Sequence, residues 1–230
     1  MPDRPTLLLT RPAPQSQSFL DALTTALGRQ PKAVISPVLR IEPRGFADPG
    51  DVQAFVFTSA NGVVAFAEQH APADRLAFCV GDTTAAIARN AGFEAVSAHG
   101  DVQALERLLI SRTKPGKGPI VHISGEASTG ALVQTLVALG HEASRIVGYS
   151  QIPQSLSGAA IDTLQTGPTV APVFSPRSGR ILQGELRSRK IMDLTLVAIS
   201  KAAAKPLSGQ VVVATEPTRA AMIAVLLSLM

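Results

Sequence analysis

Ile120-Val-His-Ile-Ser-Gly-Glu126, followed by a helical stretch from Ala131 to Leu139 and then by Ile146-Val-Gly-Tyr-Ser-Gln-Ile152, decides how the chain is organised. Ile120–Ile123 reads as a buried strand and Ser124-Gly125-Glu126 as its turn. Gly140 stops the helix. A second extended piece follows at once. The same sequence of events opens the chain: strand Leu7-Leu8-Leu9, turn Thr10-Arg11-Pro12, helix Ser16–Leu27 and stop Gly28. Phe19, Leu20, Leu23 and Leu27 recur there at helical spacing. Val34–Ile41 is then extended, because Pro37 and Pro43 exclude a helix.

One copy of this unit stands at the start of the chain; the other closes a long central block. The chain therefore begins one domain, crosses out, builds a second domain whole, and crosses back. Two crossings side by side pair as a two-stranded ladder. The expected layout is a discontinuous α/β domain of residues 1–36 and 153–230 and an inserted α/β domain of residues 42–146. The crossing strands are 37–41 and 147–152.

The remaining units repeat the theme. Ala54–Phe57, Leu76–Val80, Ala95-Val96, Pro172–Phe174, Leu194–Ile199 and Gln210–Ala214 read as strands, each leading into a polar turn, with helices at Val63–Gln69, Ala85–Asn90 and Val102–Ile110. Strands alternating with helices imply parallel sheets covered on both faces. Phe57-Thr-Ser-Ala-Asn-Gly62 matches Phe174-Ser-Pro-Arg-Ser-Gly179 at an offset of 117, and Val96-Ser-Ala-His matches Val213-Ala-Thr-Glu at the same offset. Val80-Gly-Asp-Thr matches Ile199-Ser-Lys-Ala at 119, and Ala26-Leu-Gly28 matches Ala138-Leu-Gly140 at 112. Near-constant offsets in one order point to two copies of one α/β unit. The expected architecture is two similar parallel-sheet, flavodoxin-like domains with a cleft between them.

Composition narrows the function. Of 230 residues 46% are hydrophobic and 17% charged, which excludes a disordered chain. Twenty-one Lys and Arg against 17 Asp and Glu give a net charge of +4 with no Lys/Arg-rich run, so no nucleic-acid footprint is read and a small anion suits the surface better. One cysteine, Cys79, excludes a disulfide framework and a Cys-rich zinc site and fits a reducing compartment. Met1-Pro2-Asp3-Arg4 runs straight into an apolar strand, so no signal peptide is expected. The longest apolar stretch, Ala220–Met230, is broken by Ser228 and falls short of the ~20 residues of a membrane span. A cytoplasmic protein without a membrane partner is expected.

In parallel α/β units ligands sit at the carboxyl ends of strands, where helix N-termini present N–H groups. Those turns here are Thr10-Arg11, Thr58–Gly62, Gly81–Thr84, Ser124-Gly125, Ser175–Gly179, Ser200-Lys201 and Thr215–Thr218. They are rich in Ser, Thr and Gly, which serve equally as ordinary helix caps. The phosphate loops, HExxH and GxSxG are absent, and His70, His99, His122 and His141 show no metal-ligand spacing. His122 reads as a satisfied core histidine and Cys79 as a small buried hydrophobe. Arg11, Arg177 and Lys201 together suit a polycarboxylate. Tyr149, the only tyrosine, stands in the second crossing.

Thr10-Arg11-Pro12, Phe57–Gly62, Val80-Gly-Asp-Thr-Thr-Ala85, the Ser124-Gly125 unit closing on Val147-Gly-Tyr149, and Phe174-Ser-Pro176 together resemble the uroporphyrinogen-III synthase family over nearly the full chain. The resemblance implies two α/β domains joined by a two-stranded ladder, and a monomer. It implies a cofactor-free cyclising hydro-lyase, with no metal, acting on hydroxymethylbilane, a linear tetrapyrrole with eight carboxylates. The reaction loses the terminal hydroxyl and inverts ring D as the macrocycle closes. By the same resemblance Tyr149 is the candidate catalytic donor. Thr10, Arg11, Thr58, Ser59, Asn61, Gly81, Thr84, Ser124, Gly125, Ser175, Arg177 and Ser200 are candidate substrate-binding residues. The enzyme that supplies the bilane is a candidate partner. Ser200 and Ala203 stand where the family often has Gly and Thr, and Ser175-Pro176 replaces a frequent Thr-Ser, so the side chains of Ala203 and Pro176 are excluded from the site. The alternative reading is a non-catalytic two-domain small-anion binder or sensor.

Overall fold

The structure is a computed structural model that describes residues 4–128 and 131–230. The opening Met1-Pro2-Asp3, read above as free of a leader, lies outside the described residues. In chain order the elements are β1 (Thr6–Leu9), α1 (Ala13–Leu27), β2 (Ala33–Ile35), β3 (Leu39–Pro43), β4 (Ala54–Phe57), α2 (Ala60–Ala67) and β5 (Leu76–Cys79). They continue with α3 (Asp82–Ala91), β6 (Glu94–Ser97), α4 (Val102–Arg112), β7 (Ile120–Gly125), α5 (Ala131–Ala138), β8 (Ala143–Pro153) and α6 (Gly158–Thr166). The last are β9 (Pro168–Val173), α7 (Pro176–Leu186), β10 (Asp193–Ala198), α8 (Lys201–Ala204), β11 (Gln210–Val213) and α9 (Arg219–Leu229).

Two compact units result. The first takes the chain up to Arg40 and from Ile152 onward; the second is Ile41–Gln151. The first unit holds a five-stranded sheet in the order β11-β10-β9-β1-β2, every neighbouring pair parallel. Burial on both faces explains why β1 is apolar without alternation. Leu7 and Leu9 join Phe19, Leu23, Met222 and Leu226 on one face, while Leu8 joins Ala160, Leu164, Leu182 and Leu196 on the other. Each such leucine contributes roughly 1.5–3 kcal/mol by leaving water.

The second unit holds six strands in the order β3-β8-β7-β4-β5-β6. Phe55, Phe57, Val121 and Ile123 pack with Phe66 and Phe93 on the α2 and α3 face. Ala54, Val56, Phe78 and Ile120 pack with Leu105, Leu109, Leu132 and Leu136 on the α4 and α5 face. Helix α2 lies so close to the sheet that a Cβ on Gly62 would stand 2.5 Å from the Ile123 carbonyl oxygen, so only glycine fits there. The crossing ladder is not a separate piece: β8 pairs β7 along its first half, and β3 is the edge strand beside it. Gln154 N–H donates to Val38 O and Arg44 N–H to Gly148 O, so the paired residue numbers run in opposite directions.

Strand orders expose the duplication. β4, β5, β6, β7 and β8 hold the places that β9, β10, β11, β1 and β2 hold in the first unit, which is one topology permuted. The register corrects the sequence alignment by one residue. Phe57 pairs with Cys79 and Cys79 with Ser97, as Val173 pairs with Ala198 and Ala198 with Val213. Ser59 and Ser175 both cap the helix that follows, an offset of 116 (175 − 59). Phe174 therefore corresponds to Thr58 rather than to Phe57. The equal-residue match misleads because Phe174 lies past the strand end, edge-on to Phe19 at 5.0 Å.

Three helices start earlier than their apolar spacing indicates. The first turn of α1 accepts Pro14, since its missing N–H would be unsatisfied there in any case. Ser59 and Gly81 place the caps of α2 and α3 inside the polar turns. Helix α6 is not foreseen from the sequence at all; Ser157 caps it by accepting from Ala160 N–H.

Candidate active site

In the second unit the carboxyl ends of β4, β7 and β8 are neighbours in the sheet, and they bring Thr58, Ser59, Asn61, Ser124, Gly125 and Tyr149 together. Ser59 Oγ accepts from Asn61 N–H at 3.3 Å and so turns the chain into α2. Tyr149 pairs with Gly125 where the β7–β8 register shifts. Its side chain is only 5% exposed. A Cβ on Gly125 would lie 2.6 Å from Tyr149 Cε2 and 2.8 Å from Cζ, so the ring takes the space that a side chain at 125 would fill. Burial raises the phenol above its ordinary pKa of 10.0, against hydrogen bonds from Ser59, the Gly125 backbone and Asn61 that favour the ionised form. At neutral pH the group is an uncharged phenol able to donate a proton.

Arg145, four residues before Tyr149 on β8, organises the same turn. Its Nε–H donates to Ser124 Oγ at 2.7 Å, and Nη2 donates to Gly125 O at 2.7 Å and Glu126 O at 3.1 Å. Ser124 is buried and its hydroxyl serves this internal network. Ser150 Oγ donates to Glu126 Oε2 at 3.1 Å, and Arg44 stands 3.6 Å from Oε1 of the same carboxylate. His122 Nε2 lies 3.1 Å from Thr58 Oγ1. Burial, and then the charge of Arg145, push the His122 pKa down to about 4, so the ring is neutral. Gly81 and Thr84 lie one strand further from Tyr149, at the β5–α3 turn. There Asp82 already places a carboxylate at the helix N-terminus, with His99 Nδ1 at 2.6 Å.

In the first unit Thr10 and Arg11 follow β1, Ser175 and Arg177 follow β9, and Ser200 follows β10, on three adjacent strands. Thr10 is buried, its carbonyl accepting from Val38 N–H. The Arg11 guanidinium lies 4.4 Å from the Phe174 ring centroid. Burial, and then the charge of Arg219, lower the Arg11 pKa to about 10, which leaves it charged at pH 7. Arg11 forms no ion pair with a carboxylate among the described residues. Ser175 and Ser200 cap α7 and α8, accepting from Ser178 N–H and Ala203 N–H, and Arg177 stands in the first turn of α7. The shallow hollows of this unit, lined by Pro168, Thr169 and Asp193 in one case and Arg4, Lys32 and Thr166 in the other, open at the amino ends of the strands, away from these residues.

Sequence reading passes over Arg145. The available signal is a lone cation immediately before the segment read as extended, Ile146–Ile152. Among the described residues no group of three or more His, Cys, Asp or Glu is placed to hold a metal ion, and no helix is long and apolar enough to cross a membrane.

Comparison with known proteins agrees with this layout. No curated protein matches the sequence. A solved uroporphyrinogen-III synthetase from Helicobacter pylori superposes with a TM-score of 0.68 at 15% identity, covering 99% of this chain and 100% of that one. A mutant uroporphyrinogen III synthase from Thermus thermophilus superposes at 0.54 with 17% identity, covering 96% and 97%. These identities speak to the fold alone. The model of the family described as uroporphyrinogen-III synthase HemD matches residues 20–224, which is most of the chain and both units, and on that ground the chain belongs to the uroporphyrinogen-III synthase family.

Proposed function

We propose that this chain is a cofactor-free cyclising lyase that converts hydroxymethylbilane to uroporphyrinogen III. The family match over residues 20–224 carries the reading. The bilane closes unaided without inversion, so the enzyme has mainly to dictate which carbon of ring D meets the electrophilic methylene. Positioning of that kind is worth up to about 7–11 kcal/mol.

Tyr149 supplies the chemical help. Its neutral phenol donates a hydrogen bond, and then its proton, to the terminal hydroxyl of the substrate. The C–O bond breaks and water departs. The substituted carbon of ring D bonds to the methylene, giving a spiro intermediate. Rearrangement of that intermediate inverts ring D, and loss of a ring proton restores the pyrrole and reprotonates the phenolate. General-acid help of this kind contributes roughly 10²–10⁴-fold. The Thr58 and Ser59 hydroxyls and Asn61 in one unit, and Arg11, Arg177, Ser175 and Ser200 in the other, are the proposed partners of substrate carboxylates.

Purified protein given freshly made hydroxymethylbilane should yield mostly the III isomer. Formation of the I isomer alone, at the rate seen without protein, would reject the function. Tyr149→Phe should lower turnover tenfold or more with thermal stability near wild type; unchanged turnover would remove Tyr149 from the chemistry.

A further inference from the structure

His122 belongs to neither the hydrophobic core nor the hydroxyl rim, and its setting is unusual on two counts. It is 3% exposed on a central strand, and its Nδ1 has no hydrogen-bond partner. Nε2, in contrast, meets Thr58 Oγ1 at 3.1 Å. The fold itself does not ask for a histidine here. Val56, His122 and Arg145 lie side by side across β4, β7 and β8. With the 116-residue register, Val56 corresponds to Pro172; continuing the β1–β9 ladder from Leu7 and Val170 brings Leu9 beside Pro172, and Leu9 pairs with Ile35. The counterparts of Thr58, His122 and Arg145 are thus Phe174, Leu9 and Ile35, and all three belong to one apolar cluster of the first unit. One copy of the fold fills this place with hydrocarbon; the other fills it with a hydroxyl, an imidazole and a guanidinium.

We propose that His122 is a positioning residue that donates from Nε2–H to the Thr58 hydroxyl oxygen and thereby commits the Thr58 O–H to point outward as a donor for a substrate carboxylate. A neutral imidazole carries one N–H. Placed on Nδ1, that N–H would be a buried donor with no acceptor, a rare and unfavourable arrangement. Placed on Nε2, it meets Thr58 and leaves only a bare acceptor at Nδ1, which is more readily tolerated. Burial, and then the nearby Arg145 charge, disfavour a second proton on the ring. Thr58 Oγ1 then accepts from His122. Its own proton has no other partner among the described residues, and the side chain is half-buried rather than sealed. Without His122 the hydroxyl rotor is free, and its donor is aimed at the anion only part of the time.

This inference rests on the proposed function for its substrate but not for its first test. The ring nitrogens of His122 are read by 15N correlation NMR on the free, intact protein at neutral pH. A protonated, pyrrole-type Nε2 with a pyridine-type Nδ1 is expected; the reverse pattern overturns the proposal whatever the protein catalyses. The second test is kinetic, on formation of the III isomer. His122→Leu should raise KM for hydroxymethylbilane roughly tenfold, the loss of one hydrogen bond to a charged group, with kcat within about twofold. His122→Gln, whose amide reaches the Nε2 position, should restore KM to within about threefold. Thr58→Val should raise KM as much as His122→Leu, and the double variant should be no worse than either alone. Equal defects in the Leu and Gln variants, no defect in either, or additive defects in the double variant would each overturn it. If the Leu variant does not fold, the comparison of wild type, His122→Gln and Thr58→Val still decides: Gln near wild type with Val impaired supports the proposal, and any other pattern rejects it. Failure of the wild type to form the III isomer rejects the proposed function while leaving the NMR result to stand.

Discussion

The two units share one topology but use their cations in opposite ways. In the second unit Arg145 is turned inward: its guanidinium is consumed by Ser124 and by the carbonyls of Gly125 and Glu126. It holds the turn against which the Tyr149 ring packs. In the first unit Arg11 stands over the Phe174 ring, near the charge of Arg219 and without a carboxylate partner among the described residues. A cation satisfied by carbonyls has its charge already answered within the fold, whereas one held on an aromatic face beside a second cation does not. Duplication has thus given one copy whose arginine is enclosed by oxygen acceptors and one whose arginine meets no carboxylate among the described residues.

The sharpest way to break the comparison is acid. All four histidines, His70, His99, His122 and His141, fall in the second unit. His122 ionises near pH 6.5 in the unfolded chain and near 4 when folded, because burial and Arg145 oppose its charge. Between those values the unfolded chain holds the extra proton, so stability falls as pH falls. The contribution is fully present above pH 6.5 and lost on the way to pH 4, and the gap between the two pKa values is worth about 3 kcal/mol. Hydrogen exchange followed against pH should show β4 and β7 losing protection over that window while β1 and β9, beside Leu9, keep theirs. His122→Gln should flatten the difference. Equal loss in both units would show that the buried imidazole does not set the acid limit of the second.

Gly125→Ala tests the seat of the phenol. The new Cβ would fall 2.6–3.1 Å from the Tyr149 ring and hydroxyl, so the ring must move. A displacement of about 1 Å at a reacting group can reduce rate about 100-fold, and overpacking destabilises by about 1–3 kcal/mol. We expect III-isomer turnover to fall by about two orders of magnitude. Alanine at Gly184, where an added Cβ meets nothing within 4 Å, is the control and should leave turnover unchanged. Full activity in Gly125→Ala would mean that the phenol need not occupy its present place.

The sequence shows some of this better than the rest, for physical reasons. Buried parallel strands are continuous apolar runs, so Leu7-Leu8-Leu9 and Ala54–Phe57 are readable, and the order of the repeats gives away the permutation. Gly28 and Gly140, matched in the repeat, both take the left-handed backbone that ends a helix. Thr58, Ser59, Ser175 and Ser200 stand at strand ends, as the alternation of strand, polar turn and helix indicates. What stays hidden depends on partners distant in the chain or on the backbone itself. Arg145 acts through carbonyl oxygens 19 and 20 residues away, which no side-chain pattern encodes. Helix α6 is short and opens on Gly158, so Ala160, Ile161 and Leu164 give too brief a pattern to set its period. His122 is buried, as its strand implies, yet its link to Thr58 joins residues 64 apart.

Arg11→Met is the smallest of the expected changes and the most discriminating for the first unit. Methionine keeps an adaptable apolar contact with Phe174 and removes the charge. A half-buried cation with no counter-ion among the described residues, facing Arg219, gains only its contact with the Phe174 ring in the free protein, so the melting temperature should stay nearly level. If the guanidinium exists to meet a substrate carboxylate, the same change should raise KM for hydroxymethylbilane severalfold, up to about tenfold, and weaken its dependence on salt. Arg11→Lys should recover little, because an ammonium neither stacks on the ring nor grips a carboxylate with two parallel N–H groups. The opposite pair of results, a lowered melting temperature with unchanged KM, would make Arg11 a packing residue like Arg145 and erase the contrast between the two copies.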